Sequence, residues 1–246
     1  MTIYEQQAHI ELQFWQHRMQ KKPSLTDKLS KTVQSKINEY IPEKVHQAIT
    51  VAIEKMIKAV LFGAKYTTGD VPAQDMLLQM REVLVRQKIE NYQKTATVEG
   101  AITGAGGFLL GLADFPLLLS IKLKLLFEIA ALYGHNVKDY KERLYILYIF
   151  QLAFSSQQRR NEIYQLVAEW QGYSGSLPND VAEFDWRIFQ QEYRDYIDLA
   201  KMAQLLPVIG AAVGAIANYR LINQLGATAM NCYRMRHMSP LQIIKQ

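Results

Sequence analysis

Three carboxylates lie in or beside the most apolar segments of this chain: Glu99, Asp114 and Glu128. Carboxylates brought together in an apolar setting can act as general acid and base, or can bind a hard metal ion. Two of them also have structural explanations. Asp114 precedes Pro116 and fits a helix N-cap, and Glu128 follows Lys124 at the spacing of an intrahelical ion pair. The sequence does not fix the distances between these carboxylates, so both explanations stay open.

The common motifs of catalysis and cofactor binding are not matched. The run GAGGFLLG lacks the Lys-Ser/Thr pair of a phosphate-binding loop, and GYSGS lacks the final glycine of a nucleophile elbow. The histidines are scattered, although His135 and Asp139 stand at a spacing that a metal site could use. The single cysteine, Cys232, excludes a disulfide or a cysteine-based metal cluster within one chain. We therefore predict no metal and no cofactor, and a packing role for Cys232.

Glycines recur at helical spacing in two apolar segments, TVEGAITGAGGFLLGLADFP and LLPVIGAAVGAIANYR. The glycines concerned are Gly100, Gly104, Gly107, Gly111, Gly210 and Gly214. Each glycine inside a helix costs about 1 kcal/mol relative to alanine. The spacing therefore predicts helices whose backbones approach closely. Both segments favour buried core helices, with a hairpin that engages a membrane as the alternative, because Asp114 and Pro116 disfavour a true span.

Positive charge is concentrated in two segments. Residues 18–36 hold six basic residues against one acid, a net charge of +5. The basic residues are Arg18, Lys21, Lys22, Lys28, Lys31 and Lys36. The second segment, from Arg220 to the end, contains Arg234, Arg236 and Lys245 but no acid. These segments could face an anionic membrane surface or an acidic partner, or could simply be solvated, and they lack the aromatic ladder of a nucleic-acid binder.

Helical periodicity extends along almost the whole 246-residue chain, and no run alternates strictly between apolar and polar residues. The pattern predicts one all-α domain of eight to ten helices packed around the two glycine-striped helices. Its parts are basic N-terminal helices over 1–66 and a glycine-rich core over 94–220. We predict helices over 2–20, from a cap at Ser24 or Thr26 to about Tyr40, and over 43–66, 73–95, 96–113, 115–134, 139–158, 160–171 and 181–205. A last helix runs to about His237, and GYSGSLPND forms a loop. The N terminus lacks the apolar stretch of a secretory signal, and a single thiol fits a reducing cytosol.

Several motifs together resemble the signature of the EcsC family, and the resemblance covers nearly the whole chain. The first motif is a glycine-striped helix followed by an Asp-x-Pro-Leu-Leu step at Asp114. The second is a Tyr-Gly pair at Tyr133, then a short loop with Asp139 and a Glu-Arg pair ending at Arg143. The third is LPVIGAAVGAIANYR, which carries Asn218 and Arg220. Members often have an acidic residue where this chain has Asn136.

The resemblance implies a genomic link to an ATP-binding cassette transporter and, through it, to protein secretion, but it implies no defined chemistry. We therefore expect a non-catalytic accessory protein at the cytoplasmic face of the membrane that binds the transporter, an anionic lipid or another amphiphile. No nucleic-acid partner is expected, and the oligomeric state stays open. The alternative is a cytosolic hydrolase-like enzyme that uses Glu99, Asp114 and Glu128. An enzyme requires carboxylates that converge on a water-accessible pocket, whereas an interaction protein requires an exposed apolar or basic surface.

Overall fold

Our computed structural model describes residues 1–21, 43–63, 72–73, 75–105, 107–197 and 211–238. Within these ranges the chain forms nine α-helices: α1 (Ile3–Gln20), α2 (Glu43–Lys58), α3 (Leu78–Ala105), α4 (Gly107–Leu132), α5 (Tyr140–Phe154), α6 (Gln157–Ala168), α7 (Trp170–Ser176), α8 (Trp186–Tyr196) and α9 (Ala211–His237). A π-helical turn, Ala59–Gly63, continues α2. The same ranges contain no strand, only an isolated bridge between Ser155 and Ile197. The predicted all-α fold is confirmed.

The first helix begins where the sequence predicts it. Thr2 and Glu5 form a capping box, in which the Glu5 N–H donates to Thr2 Oγ1 at 3.2 Å and the Thr2 N–H donates to Glu5 Oε2 at 2.7 Å. This reciprocal pair satisfies backbone donors that the first turn would otherwise leave without partners. One face of α1 then packs on the core through Ala8, Leu12 and Trp15.

The first glycine-rich segment is divided between two helices, and the prediction of one helix over 96–113 is wrong. α3 ends at Ala105 and α4 begins at Gly107, and the two helices run antiparallel. Glycine has low helix propensity, so this segment suits a helix end better than a helix interior. α4 then continues to Leu132 with Pro116 inside it. The predicted N-cap at Asp114 is therefore also wrong, because Asp114 lies within a continuous helix.

The last helix packs along α3 and α4. Relative to α3 it is antiparallel, because Arg234 contacts Glu82 near one end and Gly226 faces Ile89 further along. A Cβ placed on Gly226 would lie only 2.6 Å from Ile89 Cδ1, so this glycine permits the close approach of the two helices. The predicted close-approach glycines did not include Gly226.

The centre of the fold is α5, in which 13 of 15 residues are buried. A helix that is buried on all sides needs apolar residues around its whole circumference, and YILYIFQLAF supplies them. Helices α4, α6 and α9 and the π-helical turn pack against it, and α2 contributes Ile49, Ile53 and Ile57 to the same core.

Further boundaries differ from the sequence prediction. The helix expected over 73–95 spans residues 78–105, and the one expected over 139–158 ends at Phe154. The helix expected to end at about Tyr40 lies outside the described residues. GYSGS was expected in a loop, but residues 170–176 form α7, which is anchored by Trp170 packing against Tyr145. The expected helix over 181–205 is interrupted: a 3-10 turn at Val181–Glu183 precedes α8, after which Ile197 forms the bridge, and residues 198–205 lie outside the described part of the chain. None of the described helices has a stretch long and apolar enough to cross a membrane.

Candidate functional site

A group of charged and tyrosine side chains is buried where α4 and α9 end and α3 and α5 begin. We call it the Glu–Arg cluster, and its members are Glu82, Tyr133, Glu142, Tyr233, Arg234 and Arg236. The two arginines come from the last turn of α9, where cations also offset the negative end of the helix dipole. The two carboxylates come from the first two turns of α3 and α5, which are the positive ends of those helices.

Glu82 is fully buried and is held by side chains from two other helices and from the residue that follows α4. Arg234 donates from Nε to Oε1 at 2.7 Å and from Nη2 to Oε2 at 2.6 Å. The hydroxyls of Tyr4 in α1 and of Tyr133, just after α4, donate at 2.5 and 3.0 Å. Burial alone would raise the pKa of Glu82, but these donors together lower it. The charged carboxylate therefore ties the ends of α1, α4 and α9 to α3.

Glu142 forms the second ion pair of the cluster. Arg236 Nη1 donates to its two carboxylate oxygens at 3.0 and 2.8 Å, and the Tyr233 hydroxyl donates at 2.8 Å. The guanidinium of Arg236 also lies 4.5 Å from the centre of the Tyr145 ring. Burial raises the pKa of Glu142, against the lowering effect of Arg236 and Tyr233. This pair fixes the start of α5 to the end of α9.

Aromatic rings connect the two ion pairs. Tyr133 and Tyr233 are stacked, with their centroids 5.4 Å apart, and the ring of His135 lies 5.0 Å from that of Tyr233. His135 Nδ1 is 3.7 Å from Oε2 of Glu142. Burial, followed by the positive charge of Arg236, lowers the pKa of His135 to about 3. The imidazole is therefore neutral at physiological pH.

The connection between α4 and α5 shows structural roles for several predicted motif residues. Gly134 has φ of +86°, a left-handed conformation that favours glycine. Asp139 is the N-cap of α5, since its Oδ1 accepts from the Lys141 N–H at 2.9 Å. Arg143 donates to the carbonyl of Val137 at 3.0 Å and to a carbonyl of the π-helical turn at 3.3 Å. Asp139 therefore caps a helix, and the described residues contain no group of three or more side chains suited to a metal ion.

Of the three predicted carboxylates, the side chain of Glu128 alone lies in the described part of the chain, so their convergence stays a prediction. Glu128 is buried, its Oε2 lies 2.9 Å from Lys88 Nζ, and its Oε1 accepts from the Tyr92 hydroxyl at 3.0 Å. The predicted ion pair with Lys124 is therefore wrong: this face of α4 packs on α3, and the partner is Lys88. Glu99 and Asp114 lie in α3 and α4, but their side chains are outside the described part of the chain.

The glycine motif is described only in part. Gly100 and Gly104 lie in α3, Gly107 and Gly111 in α4 and Gly214 in α9, and the contacts at these positions are outside the described part, as is Gly210 altogether. Close contact between these glycines therefore stays a prediction. The end of the second motif is described: Asn218 is buried, and its Oδ1 accepts from Lys122 Nζ at 3.2 Å. Arg220, two residues later, is exposed.

The basic surface is smaller than the sequence predicts. Arg18 and Lys21 are exposed at the end of α1, as expected, and Lys22, Lys28, Lys31 and Lys36 lie outside the described residues. The C-terminal basic segment is different, because Arg234 and Arg236 are turned inward and paired with Glu82 and Glu142. Two of its cations therefore stabilise the interior and cannot contribute to a basic surface.

Two cavities in the described part can be compared with the position of Glu128. A cavity of about 100 Å³ between α5, α6 and α8 is lined by Tyr148 and Tyr193, with Glu162 and Glu192 at its edge. A more open cavity of about 420 Å³ is lined by Trp170 and Arg236. Glu128 lines neither of them. The Glu–Arg cluster itself is a tightly paired network that holds helix ends together.

Sequence reasoning missed Glu82 as a buried residue, although a local signal exists. Leu78, Glu82, Val85 and Ile89 follow one another at helical spacing, and all four are buried. A charge inside an apolar stripe indicates a buried group that needs a partner. The partner itself could not be identified, because Arg234 lies 152 positions further along the chain.

Comparison with known proteins agrees with the sequence motifs. The EcsC protein family matches residues 6–238. Protein EcsC of Bacillus subtilis strain 168 is 45% identical over 232 residues, which cover 94% of this chain and 93% of that protein. The uncharacterized protein YdbA of the same strain is 27% identical over 248 residues, covering 93% and 90%. No solved structure matches the chain.

The fold and the site thus define an all-α protein whose helix ends are joined by buried ion pairs. The matched motifs explain several of those joints, since Gly134, Asp139 and Arg143 connect α4 to α5. The chain belongs to the EcsC family.

Proposed function

We propose that this chain is a non-catalytic accessory protein at the cytoplasmic face of the membrane, where it acts beside an ATP-binding cassette transporter. The observation that carries the proposal is the pairing of its buried carboxylates. Glu82, Glu128 and Glu142 each contact a cation on another helix. Carboxylates held in this way stabilise helix packing, and a general acid or base would need access to a substrate instead.

Large apolar side chains at the surface support an interaction role. Helices α1, α3, α4, α8 and α9 each carry at least one large apolar residue that is more than half exposed. These residues are Ile3, Ile10, Phe14, Met80, Leu117, Ile188 and Ile216. Ile3, Ile10 and Phe14 share one side of α1 by their helical spacing, and apolar side chains grouped in this way are typical of surfaces that bind a protein or a membrane. The transporter as partner follows from the family resemblance and is part of the proposal.

Complementation of a deletion strain distinguishes the proposed function from the hydrolase alternative. Glu99→Gln, Asp114→Asn and Glu128→Gln remove the three candidate carboxylates one at a time, and Glu90→Gln removes an exposed carboxylate that lines neither cavity as a control. We expect the function of each variant to follow the amount of folded protein. A variant that is folded, abundant and inactive would contradict the proposal, because it would reveal a carboxylate needed for chemistry.

The membrane and transporter part has its own test. Cells that express a tagged chain are fractionated with and without the transporter subunits, and the chain is measured in the membrane fraction. We expect it in that fraction and expect the transporter to co-purify with it. A chain found entirely in the supernatant from both strains would contradict a role at the membrane.

A further inference from the structure

Helix α1 carries apolar residues on two opposite faces. Ala8, Leu12 and Trp15 are buried against the core. Ile3, Ile10 and Phe14 are 87%, 53% and 70% exposed. At 100° per residue, the spacings of seven and four place these three within about 40° of one another around the helix, facing away from the buried residues. The outer face of α1, defined by Ile3, Ile10 and Phe14, is therefore an apolar stripe, with the exposed Gln7 between Ile3 and Ile10.

Basic residues continue this stripe at its C-terminal end. Arg18 and Lys21 are exposed, and their positions fall within about 60° of the stripe. No acidic side chain of α1 shares this sector: Glu5 caps the helix start, and Glu11 lies to one side, where it pairs with Arg234 at 3.0 Å. An apolar stripe that ends in positive charge is complementary to a surface with an apolar interior and anionic headgroups.

The fold presents this face rigidly to the outside. Trp15 packs edge-to-face on Tyr164 of α6 with centroids 5.8 Å apart, and Tyr4 donates to Glu82 of α3. These contacts fix the rotation of α1 about its own axis, so the outer face cannot turn inward. From Ile3 to Phe14 the stripe runs for roughly 17 Å along a convex helix. A helix face of this kind suits a groove in a partner protein as well as a flat bilayer. The adjacent positive charge of Arg18 and Lys21 is therefore the observation that favours an anionic lipid surface.

We propose that the outer face of α1 binds the surface of an anionic lipid bilayer. Ile3, Ile10 and Phe14 lie at the boundary between headgroups and acyl chains, and Arg18 and Lys21 contact lipid phosphates. Apolar insertion and charge act together, as in other interfacial helices. This inference rests on the proposed function at the membrane, and it adds the surface and the lipid chemistry.

Co-sedimentation with vesicles tests the inference on the full chain. Binding is measured to phosphatidylcholine vesicles with and without phosphatidylglycerol, for the wild type and for the double variant Ile10→Ser/Phe14→Ser. The control is Ile188→Ser, which removes a 55% exposed apolar residue from α8. We expect binding to the anionic vesicles, roughly tenfold or greater loss in the double variant, and no loss in the control. Matching melting temperatures establish that the double variant is folded.

The charged end has a separate readout. The double variant Arg18→Gln/Lys21→Gln should weaken binding to anionic vesicles and reduce its dependence on salt, because screening acts on these two charges. Equal binding of the wild type to neutral and anionic vesicles would overturn the anionic part of the inference. Equal binding of the wild type and the Ile10→Ser/Phe14→Ser variant would overturn the role of α1.

A further outcome distinguishes this inference from the proposed function. If the chain fractionates with membranes and the transporter but does not bind vesicles, and Ile10→Ser/Phe14→Ser abolishes co-purification, the outer face of α1 binds protein. The lipid inference would then be wrong, while the proposed function would stand. If the chain neither fractionates with membranes nor binds vesicles, both are wrong.

Discussion

Neutralising Glu82 should remove a large share of the stability of this protein. In Glu82→Gln the shape is kept, but Arg234 loses the charge that it contacts at 2.6 and 2.7 Å. Breaking a buried ion pair by removing one partner costs about 3–5 kcal/mol. Glu11 stays 3.0 Å from Arg234 and is partly exposed, so we expect the lower end, about 3 kcal/mol. Domains are stable by only about 5–15 kcal/mol in total.

Urea unfolding measures this loss. Fluorescence of the buried Trp15 and Trp170 and far-UV circular dichroism report on tertiary and secondary structure separately. Glu162→Gln is the matched control. Glu162 lies 3.1 Å from Arg159, and both side chains are about half exposed. Exposed pairs of this kind contribute less than about 1 kcal/mol.

The double variant Glu82→Leu/Arg234→Met separates an ion-pair effect from a shape effect. It leaves no unpaired charge in the interior, so it should be less destabilised than the sum of its two single substitutions. The reasoning is refuted if Glu82→Gln unfolds within about 1 kcal/mol of the wild type, which is the range of a solvent-exposed pair.

Two further outcomes are expected from positions near the same helices. Gly226→Ala should lower the free energy of unfolding by about 1–2 kcal/mol, because the added Cβ would lie 2.6 Å from Ile89 and the overpacking outweighs the gain in helix propensity. Strict additivity of Gly226→Ala and Ile89→Ala in a double-mutant cycle would contradict this contact. The pKa of His135 in the folded state is lowered to about 3, so the unfolded state binds this proton at a higher pH than the folded state does. Stability should therefore fall as the pH drops from about 6.5 towards 3. His135→Phe should flatten that pH dependence by up to about 1.4 kcal/mol per pH unit, and an unchanged slope in urea titrations would disprove the assignment.

Features with a local signal could be predicted from the sequence. The start of α1 follows from Thr2 and Glu5 three residues apart, and the loop before α5 follows from its glycine, asparagine and aspartate. The prediction of one helix over 96–113 failed because glycines at this spacing fit either one straight helix or the turn between two antiparallel helices. Asp114-Phe115-Pro116 imitated a helix start, but packing of α4 keeps Pro116 within a helix interior. Intrinsic preference is a weak prior that tertiary contacts override.

The candidate site was harder to predict than the fold, because its partners are far apart in sequence. Asp139 and Arg143 were identified by motif, yet their roles, a cap and a pair of carbonyl contacts, appear only in three dimensions. Glu128 was expected to pair within its own helix, but it pairs across to α3. Arg234 and Arg236 counted as surface charge in the sequence, and only the fold shows that carboxylates from α3 and α5 reach them.

The contact between Glu11 and Arg234 joins residues 223 positions apart, and it has a consequence for synthesis on the ribosome. At about 5–20 residues per second, roughly 10 to 45 s separate the appearance of the two partners. During that interval α1 lacks its contacts with α9, so the part of its inner face that packs on α9 stays uncovered. Native packing of α1 is therefore a late step in biogenesis, and factors that hold emerging apolar segments have their longest opportunity to bind at this helix.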